Sequence, residues 1–130
     1  MSALNQYLAA SRAGLDTGPV DLLVMGNEAA DLDSMASAIA YAYHLSALEK
    51  GKTVIPVMPI PREDFRLRTE AAYVFKQAGI DLDNLLFSDD TDLLSLLARA
   101  KGLVLVDHNK LSDAYSQFGH KIWAILAGEK

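Results

Sequence analysis

The chain has no cysteine among its 130 residues, which rules out disulfides and thiolate metal sites and leaves the compartment open. It has no basic excess: 12 Lys and Arg stand against 17 Asp and Glu, for a net charge of −5 and a pI of about 5.0. That balance argues against bulk nucleic-acid binding, which needs a basic surface. A phosphate-bearing substrate stays open wherever basic groups cluster locally. No apolar run approaches the ~18 residues of a membrane span. There are no internal repeats, low-complexity tracts or linkers. The first fifteen residues lack any acid, as targeting peptides do, but Leu4, Leu8 and Leu15 recur near helical spacing around Tyr7. An ordinary first helix is therefore expected, in a cytoplasmic protein.

What is present suits one globular domain. Hydrophobic residues make up 51% and charged residues 22%, enough to build a core. After the turn at Gly14–Pro19 comes an apolar strand, Val20–Met25, and a helix over Leu32–Lys50 that repeats at three and four through Met35, Ala36, Ile39, Ala40 and Tyr43. Gly51 is placed to end it. Thr53–Met58 reads as a β-branched strand, stopped by Pro59 and Pro61. A helix over Thr69–Ala78, a short strand Leu85–Phe87, a helix over Asp92–Ala100 and a strand Gly102–Val106 follow. Strand–helix alternation predicts an α/β domain, doubly wound, with a mainly parallel sheet flanked by helices. Lys121–Ala127 fits either a strand or a helix.

Two strands end in acid-rich segments. The first runs Gly26-Asn27-Glu28-Ala29-Ala30-Asp31-Leu32-Asp33-Ser34, and the second is Asp107-His108-Asn109. Acids at the carboxyl ends of strands face the crevice where α/β proteins bind ligands. Close carboxylates repel unless a cation shares their charge, and hard divalent cations are the usual partners. Asp31 and Asp33 equally suit a helix start, as cap and first-turn acid. His108, judged alone, is as readily structural. Together, imidazole and carboxylate suit Mn²⁺, Mg²⁺ or Co²⁺ better than Ca²⁺, with Asn27 adding a neutral oxygen or a donor.

The Asn-Glu-(small)-Ala-Asp-x-Asp-Ser form of Asn27–Ser34 resembles the first motif of the DHH phosphoesterase superfamily, in its fungal exopolyphosphatase and prune-like branch. Pro61–Glu70 is similar to the branch's segment after the second strand, and Val106–Asn109 to its second motif. The resemblance implies that Asp31, Asp33 and Asp107 are metal ligands, with Asp107 bridging two Mn²⁺ or Mg²⁺ ions. It implies that Asp107 and His108 take part in catalysis. It also implies release of terminal orthophosphate from inorganic polyphosphate, or a related phosphoanhydride, through a two-metal site. Nucleic acid and membranes are not expected partners.

The family's third motif, Asp-His-His, has no counterpart here: Ile122–Leu126 is followed by Ala127-Gly128-Glu129. Its fourth metal-binding Asp and its second domain, which supplies basic groups and closes the cleft, are likewise not found. The expectation is one DHH-type domain over 1–130, truncated before the third motif, with 114–130 a divergent tail and the isolated chain catalytically incomplete. A truncated product or incomplete gene model leads a noncatalytic prune-like binding protein and an enzyme completed by another chain. Arg62, Arg66 and Arg68 could bind substrate phosphate bidentately, or simply pair with Glu63, Asp64 and Glu70. Asp89, Asp90 and Asp92 read as a helix start, Tyr41 and Tyr43 as lying on different faces, and Trp123 as buried. The apolar stretch Ile122–Leu126 is expected to promote self-association.

Overall fold

The computed structural model describes residues 2–14, 18–26, 32–106 and 113–126. Helix α1 (Ala3–Ala13) starts where the Ser2 side chain accepts from the Asn5 N–H at 3.2 Å, satisfying one of the donors a helix start leaves unpaired. Strand β1 (Val20–Met25) leads to α2 (Leu32–Leu48) and β2 (Val54–Val57). Two short helices, α3 (Arg62–Arg66) and α4 (Thr69–Gln77), precede a 3₁₀ turn at Leu82–Asn84. Helix α5 (Leu93–Arg99) runs straight into β3 (Ala100–Val106), and a 3₁₀ stretch (Asp113–Lys121) leads to β4 (Ile122–Leu126). Among the described residues no helix is long and apolar enough to cross a membrane.

The four strands form one parallel sheet in the order β2-β1-β3-β4. Side chains alternate across a strand, and the sequence obeys this on both sides. Leu22, Val24, Val54, Val104 and Val106 point to the face covered by α1, α2 and α4. Leu23, Met25, Ile55, Val57, Leu103 and Leu105 point to the face covered by α5 and Phe118. Strands apolar on both faces are what a parallel sheet between helices requires. The alanines of α2 serve the same end: Ala38 and Ala42 are fully buried, letting the helix lie close to the sheet.

The expected α/β architecture stands, with local corrections. Leu85–Phe87 is not a full strand: Phe87 makes a single parallel bridge to Met58 on the outer side of β2. Three residues between a 3₁₀ turn and a tight turn are too few to build a ladder. Helix α3 was not expected, because Pro59 and Pro61 suggest only interruption. Pro61 is in fact its N-cap, at φ −65°, and proline suits a helix start, where no N–H is needed. Tyr41 and Tyr43 are both half-buried rather than divided between core and surface, Tyr43 by its ring contact with Tyr7.

Trp123 is not buried; it is 58% exposed. The pairing of β3 with β4 shifts register, from Leu103↔Ile122 to Val104↔Ala124, so Trp123 is an extra, bulged residue. The bulge lets Ile122 pack with the α5 side of the core and Ala124 with the α2 side. It turns the indole outward, a usual effect of a bulge on an edge strand.

Candidate active site at the carboxyl edge of the sheet

Strands β1 and β3 are neighbours, and Met25 is in register with Leu105 at their carboxyl ends. The next described elements lie on opposite faces of the sheet. After β1 the chain enters α2, which packs on the Leu22–Val24 face. After β3 it reaches the 3₁₀ stretch whose Phe118 packs on the Leu103–Leu105 face. Parallel neighbours whose connections diverge open a crevice outside their carboxyl ends, the usual ligand site of such sheets. Both acid-rich segments begin there, one after Gly26 and the other after Val106.

Of the expected ligands, Asp33 lies within the described residues, exposed in the first turn of α2. A carboxylate there is favoured by the positive end of the helix. Asn27, Asp31, Asp107, His108 and Asn109 lie outside the described residues. Among the described residues, no three His, Cys, Asp or Glu side chains group closely enough to hold a metal. The frame nevertheless fits a hard divalent cation: a carboxylate-bearing helix start beside the ends of two adjacent strands, with oxygen donors in the sequence of both segments.

The end of β1 meets the start of α2 closely. A Cβ placed on Gly26 would lie 2.6 Å from Ser34 Oγ and 3.1 Å from Ser34 O, and Ser34 is fully buried. Any larger side chain at Gly26 would require Ser34 to shift.

The three candidate arginines differ from one another. Arg66 pairs on the surface with Glu63 at 2.7 Å, as an arginine interleaved with acids would. Arg68 stands at the N-cap of α4. Arg62 does not pair with its acidic neighbours; its Nη2 donates to Asp90 Oδ2 at 2.7 Å and to Leu85 O at 2.8 Å. Its guanidinium also lies 4.7 Å from the centre of the Phe87 ring, within cation–π range. Arg62, Arg66 and Lys76 line a cleft of about 570 Å³ floored by Phe65 and Ile80.

Asp90 is the polar residue whose importance the sequence did not suggest. It was expected merely to start a helix, a role that falls to Asp92, whose side chain accepts from Ser95 N–H at 3.2 Å. Asp90 instead accepts from Arg62, from Arg12 at 3.2 Å and from the Phe87 N–H at 2.8 Å. Burial would raise its pKa, but the hydrogen bonds from Arg62, Phe87 and Arg12 outweigh that and hold the carboxyl below its ordinary value. Asp89 accepts from the Arg62 N–H at 3.0 Å. No sequence signal marks this cluster, because the two arginines lie 28 and 78 residues from Asp90. At the opposite edge of the sheet, Asp21 accepts from the Thr53 N–H at 2.8 Å and pairs with Lys101. The Thr53 hydrogen bond is the main reason its pKa is lowered.

Comparison with known proteins adds to this geometry. Residues 21–124 match the profile of the DHH family, N-terminal domain. A Schizosaccharomyces pombe protein provisionally named an exopolyphosphatase is 42% identical over 97 residues, covering 75% of this chain and 25% of its own. Exopolyphosphatase PRUNE1 of Rattus norvegicus is 39% identical over 115 residues, covering 85% and 25%. The Homo sapiens PRUNE1 is 36% identical over 125 residues, covering 95% and 28%. The chain thus spans about a quarter of the length of these curated relatives. The family match begins inside β1 and ends inside β4, so it includes β2, β3 and most of the sheet. By fold, by motif and by this match, the chain belongs to the DHH family.

Proposed function

We propose that the chain is the metal-binding front of a phosphohydrolase acting on phosphoanhydrides such as inorganic polyphosphate, releasing terminal orthophosphate. The observation that carries this reading is the register of β1 and β3, whose carboxyl ends stand side by side where the two acid-rich segments begin. The names of the relatives, exopolyphosphatases, support the substrate class.

In this reading Asp31, Asp33 and Asp107 would hold one or two Mn²⁺ or Mg²⁺ ions, with Asn27 and His108 as further candidate site residues. A bound divalent cation would polarise a phosphoryl oxygen and acidify a water. The chain's own contribution is to fix the carboxylates. In this reading Arg66 is the arginine assigned to phosphate, because its pairing is easily exchanged. Its partner Glu63 is exposed, and such surface pairs are worth at most about 1 kcal/mol and exchange readily. Arg62, engaged with Asp90, serves by holding α3 in place.

Residues 114–130 contain no Asp-His-His, so the 130-residue chain alone is read as binding metal without turnover. Titration with Mn²⁺ should show binding that is lost in the triple variant Asp31→Ala/Asp33→Ala/Asp107→Ala; no binding by the unaltered chain would sink the metal reading. Phosphate release from polyphosphate with Mn²⁺ or Mg²⁺ should stay at background. Robust release, abolished by Asp107→Ala, would overturn the claim of incompleteness and leave the hydrolase reading standing. A chain that binds polyphosphate but no metal would instead be the noncatalytic binding protein.

A further inference from the structure

We propose that the junction of α5 and β3 is a monovalent-cation site built from the main-chain carbonyls of Leu97, Ala98 and Ala100. Its resident cation in this chain is the Lys121 ammonium, and its occupancy docks β4 on the sheet. The site lies at the amino ends of β3 and β4, at the opposite edge from the acid-rich segments, so it is independent of the proposed hydrolase centre. Its origin is local. Helix α5 runs into β3 without a turn: Ala100, at φ −66° and ψ 137°, is both the C-cap and the first strand residue. The Ala100 N–H reaches back to Leu96 O. A chain that then goes straight into a strand cannot fold further N–H groups back onto the carbonyls that follow.

Lys121 answers those carbonyls. Its Nζ donates to Leu97 O at 3.1 Å, to Ala98 O at 2.6 Å and to Ala100 O at 2.9 Å, which uses all three donors of an ammonium. All three acceptors are neutral main-chain oxygens. Hard divalent ions are held chiefly by carboxylates, whereas groups of carbonyls replace the hydration shell of K⁺. The donor set therefore fits a single positive charge. The bonds to Leu97 and Ala100 are partly buried and the bond to Ala98 is exposed, which gives a free ion a way in from the Ala98 side. Lys121 also stands 5.9 Å from the centre of the Phe118 ring, within cation–π range. The next residue, Ile122, pairs with Leu103 and packs on the same core face as Phe118 and Leu97. The ammonium thus fastens the start of β4 to the end of α5. Because the cation is tethered, the unaltered chain needs none from solution.

The test uses the full chain with Lys121→Ala, which vacates the site, and with Lys121→Met, which keeps a stem in it and removes the charge. In choline chloride both variants should melt about 5–10 °C below the unaltered chain, with faster hydrogen exchange at the amides of residues 122–124. Replacing choline by K⁺ or NH₄⁺ at equal ionic strength should return much of both losses to Lys121→Ala, with a saturating dependence on ion concentration. It should return nothing to Lys121→Met, whose stem fills the space. The unaltered chain should not distinguish the three salts. A Lys121→Ala chain equally stable in all three salts overturns the site. So does a recovery shared by Lys121→Met and the unaltered chain, which is a general salt effect. Unchanged exchange at 122–124 in both variants overturns the docking of β4. Where Lys121→Ala does not fold in choline, folding restored by K⁺ or NH₄⁺ supports the site, and a chain unfolded in all three salts overturns it.

Discussion

Asp90 illustrates how one carboxylate can tie three parts of the chain. It joins Arg12 at the end of α1 and Arg62 at the start of α3 to the turn after the Phe87 bridge. Its side chain is 12% exposed and that of Arg62 is 21%, so both charges have lost much of their water. Removing one partner of such a pair leaves the other charge poorly solvated. Asp90→Ala should therefore cost about 3 kcal/mol, measured by urea unfolding at neutral pH, the lower end of the buried range because Arg12 is partly solvated. The pH dependence follows from the direction of the shift. The folded pKa lies below the ordinary 3.8, so the unfolded chain takes up the proton first as acid is added. The stability Asp90 contributes is fully present above about pH 4, near that ordinary value, and is lost as pH falls through the folded pKa. Asp21, lowered mainly by the Thr53 N–H, acts in the same direction. Asp90→Asn should flatten the acid limb of the stability curve; an unchanged slope would remove Asp90 from the acid response.

At the scale of elements, the end of α4 shows what sequence can specify locally. Gly79 has φ +83°, its N–H bonds Lys76 O at 3.0 Å, and the Ile80 N–H bonds Phe75 O at 3.0 Å. These are the paired bonds of a glycine-terminated helix, and Ile80 packs against the core cluster that contains Phe75. A Cβ at Gly79 would meet nothing within 4 Å, so Gly79→Ala isolates the backbone cost of the left-handed conformation. A loss of about 1–2 kcal/mol is expected by thermal or urea unfolding, with the fold intact; no loss would mean that the turn relaxes. Gly51, at φ +91°, was equally legible as a stop after α2. Strands β1, β2 and β3 were legible because burial on both faces writes continuous apolar runs. That both acid-rich segments follow strand ends was legible because each comes straight after an apolar run. Helix α3, the single bridge at Phe87 and the Arg12–Asp90–Arg62 cluster were not, since each depends on partners distant in sequence. Arg62 was noticed for its charge, but its tie to Asp90 exists only once α3 and the Phe87 bridge have folded beside each other.

For the whole molecule, the edge formed by β4 decides how the chain meets its surroundings. β4 pairs with β3 on one side, and no described strand lies on its other side. An unpaired edge is a template for another chain, but a bulge blunts it by twisting the backbone out of line. Here the bulge falls at Trp123 and presents the indole to water. Edge-to-edge hydrogen bonding is thereby weakened, while a large apolar side chain is left for contact with a second copy. Burying one such side chain is worth about 1.5–3 kcal/mol, far less than the cost of associating two proteins. The expected self-association is therefore weak and appears only at high concentration. Sedimentation velocity should show the average mass rising with concentration, and Trp123→Ser should suppress that rise while changing stability by no more than about 0.5 kcal/mol, as befits a surface position. The fluorescence of Trp123 should be red-shifted and quenched by iodide in dilute solution, and shielded from iodide as concentration rises. A monomer at every concentration would show that the bulge alone protects this edge. A dry, unquenched Trp123 in dilute monomer would contradict the register shift that exposes it.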